Sequence, residues 1–329
     1  MTKAQVIHEF GPPDVMRWEA RDVPPPGAGE VRIRHTAIGV NFADTYHRGG
    51  VPHPWPVPEP PCVIGFEAVG VVEEAGAGVD MFKAGERVAY GIPPLGSYAQ
   101  VRNYPADKLL HLPDALEDTQ VAALLMRGMT AQYLLRRTYR VEPGDTILVH
   151  AAAGGMGLIL CQWAKHLGAT VIGTVSTPEK AEAARAAGCH HPVVRNEQDF
   201  ERVAREVTDG EGVAVVYEAI GKDTLQKSLD CLRPMGVCAA YGHVSGPPDP
   251  VDIITDLGAR GSLFITRPAI MHYVAKRADL EATAGELFAA IADGVVSANI
   301  ARKYPLKDAP AAHAAIESGA TTGASVLIA

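Results

Sequence analysis

Residues 145–176 read DTILVHAAAGGMGLILCQWAKHLGATVIGTVS, and the fold is decided here. Positions 145–150 carry the apolar run of a buried strand, and a cluster of small residues follows directly. Ala152, Gly154 and Gly157 take the three positions of a G-x-G-x-x-G turn, with alanine in the first and with Gly155 and Met156 between the last two. Small residues there let the main chain approach a pyrophosphate, whose charge rests on the amides and positive dipole end of the next helix. That helix is expected over 156–166, closed by Gly168, and positions 169–175 read as a second, β-branched strand. Strand, glycine turn, helix and strand in this order describe a dinucleotide-binding unit.

The end of the second strand selects the cofactor. An NAD site places Asp or Glu there to hold the ribose 2′-hydroxyl, but this chain has Gly173, Thr174, Val175, Ser176 and Thr177. Ser176 is followed by Lys180, and Arg195 comes after the expected third strand; both cations suit a 2′-phosphate. NADPH is the expected cofactor. Glu179 is the contrary signal, because a swung carboxylate could meet a hydroxyl instead.

A chain of 329 residues suggests two domains. Its net charge of −8, with 21% charged residues, provides no basic field for nucleic acid or an anionic membrane. Cys62, Cys161, Cys189, Cys231 and Cys238 make an odd count without a C-x-x-C pair and read as reduced core thiols. The start, MTKAQVIHEF, has no apolar signal segment, and no uninterrupted apolar stretch reaches membrane-spanning length. A cytoplasmic protein is expected by default. The proline cluster at 52–61, PHPWPVPEPP, reads as a loop whose Trp55 could form a stacking wall or stand exposed.

Up to about Pro113, short apolar runs broken by Gly and Pro suggest a β-rich, barrel-like domain. The pattern turns helical over 117–139 and then alternates β and α, with strands expected at 146–151, 170–175, 190–194, 213–219, 236–241 and 262–266. A helix at 280–293, a strand at 300–304, a helix at 308–318 and the final SVLIA strand return the chain to its first domain. The fold class is therefore α/β: a Rossmann, doubly wound parallel sheet over 123–267, inserted in a β-rich catalytic domain made of 1–122 and 268–329.

This order resembles the medium-chain dehydrogenase/reductase superfamily over essentially the whole chain. The segments AIGVNFADTYHRGG, GFEAVGVVEEAGAGV, KAGERVAY, LLMRGMTAQYLL, KSLDCLRPMG and KYPLKDAPAAH narrow the likeness to its zinc-independent, zeta-crystallin-like NADPH:quinone oxidoreductases. The resemblance implies that the β-rich domain is GroES-like. Zinc is not expected: the NFAD segment has no cysteine, Phe66 replaces histidine in the G-H-E motif, and His190 and His191 would point to opposite faces of a strand. Without a Lewis acid, oxidation of a simple alcohol is disfavoured, whereas hydride delivery to a conjugated carbonyl needs mainly positioning.

Reduction of a quinone by NADPH is thus the favoured expectation. Reduction of an enoyl or alkenal double bond is the alternative, and a non-catalytic, NADPH-linked RNA-binding role is a third that the acidic balance opposes. The resemblance implies that Asn41, Asp44, Tyr46 and Arg48 line the nicotinamide and substrate cleft. Asn41 and Tyr46 can donate to a substrate oxygen, while Asp44 is assigned to ordering a loop or the cofactor, since it accepts only unless its pKa is raised. Tyr133, Ile220, Gly242, His243, Val244 and Ser245 match cofactor-lining positions, and Phe264, Ile265 and Thr266 are expected near the nicotinamide edge. The family's usual Tyr-Arg pair after the third strand reads Arg195-Asn196 here. Leu263, Phe264 and Ile265 in a row at an expected sheet edge invite a second copy, and the resemblance likewise implies a homodimer through the edge of the Rossmann sheet.

Overall fold

The computed structural model describes residues 1–51, 59–319 and 323–329. The chain divides into two compact units, 1–129 with 274–329 and 130–273. The divisions fall seven and six residues later than the expected 122/123 and 267/268. The first lies inside a helix that the sequence treated as one element.

The first unit begins with β1 (Thr2–Ile7), β2 (Met16–Arg21), β3 (Glu30–Val40) and helix α1 (Phe42–Gly49). Five short strands follow: β4 (Cys62–Val63), β5 (Ala68–Ala75), β6 (Arg87–Tyr90), β7 (Val101–Pro105) and β8 (Leu110–His111). The long helix α2 (Asp118–Tyr133) then leads to the second unit through a π-helical turn at Leu134–Thr138.

In that second unit every strand is parallel and most alternate with helices: β9 (Thr146–Val149), α3 (Gly155–His166), β10 (Thr170–Val175), α4 (Pro178–Ala186), β11 (His191–Val194), α5 (Phe200–Val207), β12 (Val213–Glu218), α6 (Leu225–Asp230), β13 (Leu232–Ala240), β14 (Phe264–Thr266) and α7 (Ile270–Tyr273). The chain returns through α8 (Arg277–Ala292), β15 (Ile300–Pro305), α9 (Ala309–Glu317) and β16 (Ala324–Ile328).

Sheet order explains why one end of the second unit is available for a ligand. The six strands run β11-β10-β9-β12-β13-β14, so successive connections leave β9 in opposite directions and open a crevice beyond its carboxyl end. Helices on both faces demand fully apolar strands, and all six residues of β12 are buried. In the first unit a seven-stranded sheet runs β15-β16-β3-β5-β6-β8 with β7 also on β3, beside a three-stranded β2-β1-β4 sheet. Its core gathers Ile33, Ile38, Tyr90, Tyr98, Tyr104 and Leu327. Among the described residues no helix is long and apolar enough to cross a membrane.

Candidate functional site

The glycine turn is shaped by main-chain contact. Ala151 adopts φ 52°, Ala152 donates its amide to the Thr174 carbonyl at 2.9 Å, and α3 starts after Gly154. A Cβ on Gly157 would lie 2.2 Å from the Ala151 oxygen and 2.6 Å from the Ala152 Cα, so no other residue fits there without moving the backbone. The strand stops at Val149, two residues before the expected end, which frees Ala151 to turn.

The other expected cofactor residues gather on loops that follow strand ends. Ser176, at the end of β10, is exposed and receives a hydrogen bond from Lys180 Nζ at 3.1 Å. Arg195, half-buried, follows β11; Ile220 follows β12; Gly242, His243, Val244 and Ser245 follow β13. Ser245 donates both its amide and its hydroxyl to the Ile220 carbonyl at 2.8 Å, which joins two of these loops. Tyr133 is buried and stacked on Tyr273 at 4.1 Å. Phe264, Ile265 and Thr266 form β14 itself at the sheet edge, with Phe264 60% exposed.

In the first unit the NFADTYHR segment is a helix, not the loop expected. Asp44 accepts the Asn41 amide at 2.8 Å, and this contact starts α1. Arg48, expected in the cleft, is engaged by other parts of the same unit. Its Nε donates to the Gly11 carbonyl at 2.9 Å, Nη1 to His313 Nδ1 at 2.9 Å, and Nη2 to Glu317, so it ties α1 to α9 from a buried position. Tyr46 is half-buried with its ring edge-on to Phe42 at 5.3 Å.

A buried charge cluster surrounds Asn41. Its Nδ2 donates to Glu67 Oε1 at 2.7 Å, and the Met126 amide donates to Glu67 Oε2 at 2.6 Å. Arg127, on α2, is only 7% exposed, and its Nε and Nη2 have no hydrogen-bond partner; neither do Asn41 Oδ1 and Asp44 Oδ1. Burial raises the Glu67 pKa against the opposing pull of Arg127. Burial also pushes Asp44 up to about 7, against hydrogen bonds from the Asn41 amide and the Tyr98 hydroxyl, and the Glu67 charge adds to the rise.

The raised value fixes a sign. The folded state holds the Asp44 proton to higher pH than the unfolded chain, so stability falls as pH climbs from about 4 to about 7. Asp44→Asn keeps an acceptor for the cap, and it is expected to exceed wild type by ~1–3 kcal/mol at pH 8, with the advantage gone at pH 4. Urea unfolding at both pH values checks this; an Asn variant weaker at pH 8 would refute it.

Arg127 and Glu67 were missed as functional candidates. The available signal was a lone arginine inside the apolar run VAALLMRGM, because an unpaired charge is almost never buried without a reason. Of the proline cluster at 52–61, residues 52–58, with Trp55, lie outside the described residues.

Two family models match the chain: an alcohol dehydrogenase GroES-like domain over residues 27–114 and a zinc-binding dehydrogenase over 155–284. The chain is 57% identical to the 2-haloacrylate reductase of a Burkholderia species, covering 100% of this chain and 99% of that protein. It is 44% identical to quinone oxidoreductase 1 of Escherichia coli over 98% of both chains. The chain belongs to the quinone oxidoreductase branch of the medium-chain dehydrogenase/reductase superfamily.

Solved structures of this branch agree in fold. The E. coli quinone oxidoreductase complexed with NADPH superposes with a TM-score of 0.95 at 43% identity, covering 99% of this chain and 100% of that one. The crystal structure of 2-haloacrylate reductase gives 0.91 at 56% identity, covering 99% of both. The protein is therefore an NAD(P)H-dependent reductase of this family.

The donor set does not fit the zinc named in the second family model. Phe66 occupies the histidine position, is buried, and stacks on His47 at 6.0 Å and 11°. Among the described residues no group of three or more His, Cys, Asp or Glu is arranged to hold a metal.

Proposed function

We propose that the chain uses NADPH to reduce a small, electron-poor unsaturated carboxylate of the 2-haloacrylate type. The observation that carries this reading is Arg127, a buried guanidinium with two unfilled donors whose charge acts on Glu67 and Asp44. The high identity to a 2-haloacrylate reductase supports it. For the cofactor, the 151–157 turn, with no side chain at Gly157, would admit the pyrophosphate, and Ser176, Lys180 and Arg195 would hold the 2′-phosphate.

NADPH, when bound, supplies the hydride. Hydride arriving at C3 of CH2=CX–COO⁻ breaks the C=C π bond and drives its electron pair through C2 onto the carboxylate. A proton added at C2 then gives CH3–CHX–COO⁻, with the halogen retained. The charge that builds on the carboxylate oxygens is what Arg127 would stabilise: its planar fork matches two oxygens and strengthens as they become more negative. Tyr46 and the second amide hydrogen of Asn41 can donate to the same oxygens.

Quinone reduction, the expectation favoured by sequence, is the second reading. Relatives named quinone oxidoreductase at 43–44% identity support it. Initial rates of NADPH loss at 340 nm with 2-chloroacrylate and with 1,4-benzoquinone separate the two: kcat/KM is expected to be at least tenfold higher for 2-chloroacrylate. A higher value for the quinone would return the assignment to quinone reduction.

We also propose a homodimer through β14. This edge strand leaves its hydrogen-bonding groups open on one side, and Phe264 on it is exposed; Met235, Ile253 and Ile254 in the same unit are at least 70% exposed. Light scattering is expected to give twice the 34.8 kDa chain mass, and Phe264→Glu to lower it. A monomeric wild type would refute the proposal.

A further inference from the structure

A run of buried polar groups crosses the second unit beneath the loops just described. Thr174, His150, Ser228 and Glu218 are all 0% exposed. His150 Nδ1 lies 2.8 Å from Thr174 Oγ1 and its Nε2 2.8 Å from Ser228 Oγ, while Ser228 Oγ lies 2.6 Å from Glu218 Oε2.

The direction of each bond follows by elimination. The Glu218 carboxylate accepts the Ile220 amide at 2.7 Å, the Gly221 amide at 3.1 Å, the Thr224 hydroxyl at 2.9 Å and the Ser228 hydroxyl. Four donors on one carboxylate favour its ionised form. The single Ser228 hydrogen goes to Glu218 Oε2 at 2.6 Å or to the Thr224 carbonyl at 2.9 Å, so in either case His150 Nε2, which also lies 3.4 Å from Glu218 Oε2, donates to Ser228. Burial keeps His150 neutral, so Nδ1 accepts from Thr174. Every donor therefore points the same way, from Thr174 through His150 and Ser228 to Glu218, and the Phe200 ring edge-on to His150 at 5.1 Å fixes the imidazole plane.

Each end of this chain is one bond from a loop that would touch the cofactor. Thr174 stands two residues before Ser176, and its carbonyl accepts the Ala152 amide of the glycine turn. Glu218 holds the amides of Ile220 and Gly221. The Ile220 carbonyl in turn takes both donors of Ser245. A Cβ on Gly221, at φ 90°, would come within 2.6 Å of the Gly246 oxygen, so this second pair of loops is in direct contact.

We propose that Thr174, His150, Ser228 and Glu218 are positioning residues that set the spacing between the adenosine-phosphate loop after β10 and the loops after β12 and β13, and thereby the affinity for NADPH. The proposal rests on those loops being the cofactor site. It goes beyond them, because none of these four side chains is itself expected to touch the cofactor.

The test is an NADPH fluorescence titration of the full chain with Thr174→Val, Thr174→Ser, Ser228→Ala and the Thr174→Val/Ser228→Ala double variant. Thr174→Val and Ser228→Ala are each expected to weaken binding about five- to tenfold, the scale of one lost buried hydrogen bond. Thr174→Ser, which keeps the hydroxyl, is expected within twofold of wild type. The double variant is expected to lose less than the product of the singles, because both break one chain. KM for the acceptor is expected to stay within twofold in every variant, whereas general loosening of the fold would move both constants.

NADPH affinity within twofold of wild type in Thr174→Val and Ser228→Ala, whatever their melting temperatures, would overturn the proposal. Should either fail to fold, Glu218→Gln decides: its carbonyl can still take the two amides but its Nε2 cannot accept from Ser228. Weakened binding supports the relay, and unchanged binding refutes it. Wild type that binds no NADPH would instead remove the cofactor reading itself.

Discussion

Arg127→Met is expected to lower kcat/KM for 2-chloroacrylate by about 10²- to 10³-fold while changing turnover of a neutral quinone less than about fivefold. The first figure corresponds to ~3–4 kcal/mol, the scale of a donor lost from a charge that grows in the transition state. The second follows because a neutral acceptor gains much less from a guanidinium fork built for two carboxylate oxygens. Removing Arg127 also leaves Glu67 as a buried carboxylate without its counter-charge, so the variant will be less stable, and the quinone rate reports how much folded enzyme remains. Arg127→Lys, which keeps the charge without the planar fork, is expected to fall between the two. Equal losses on both substrates would mean that Arg127 serves only as the partner of Glu67.

The other large effect lies at the glycine turn. Gly157→Val is expected to weaken NADPH binding by at least 100-fold, because its Cβ alone would overlap the Ala151 oxygen at 2.2 Å and the Ala152 main chain at 2.6 and 2.7 Å. Those atoms belong to the backbone that must curve around a pyrophosphate, so the clash cannot be relieved by turning a side chain. Gly154→Ala is the graded control: its nearest neighbour, the same oxygen, would be 3.1 Å away, and a loss below about tenfold is expected. Titration by nucleotide fluorescence checks both, and near-normal binding by Gly157→Val would refute the assignment of this turn to the pyrophosphate.

Legibility in the sequence followed the range of the forces involved. Strand β10 lies at 170–175, where alternation and β-branching put it, and the glycine turn and the strand order of a doubly wound sheet follow from local patterns and handed connections. The NFADTYHR helix was harder. Its start depends on Asp44 folding back onto the Asn41 amide, and Gly49 and Gly50 at its end read equally well as a loop.

Side-chain partners distant in the chain were not legible at all. Arg48 reads as a site cation in a polar segment until α9, some 265 residues later, supplies His313 and Glu317 to occupy it. Arg127 reads as part of a helix until burial leaves it facing Glu67 and Asp44. The relay under the cofactor loops joins residues 24, 78 and 10 positions apart, a spacing that carries no periodic signal. His150 and Glu218 do share one local clue: each is a polar residue that closes a buried, mostly apolar run, His150 just after β9 and Glu218 at the end of β12.

The most direct measurement is to follow the label from NADPH deuterated at the transferred C4 position into product with 2-chloroacrylate as acceptor, by mass spectrometry and proton NMR. One deuterium in the methyl group at C3 of 2-chloropropionate, with solvent hydrogen at C2 and chlorine retained, is the predicted result. Absence of 2-chloropropionate, or deuterium at C2, would contradict hydride addition to a carboxylate-anchored double bond.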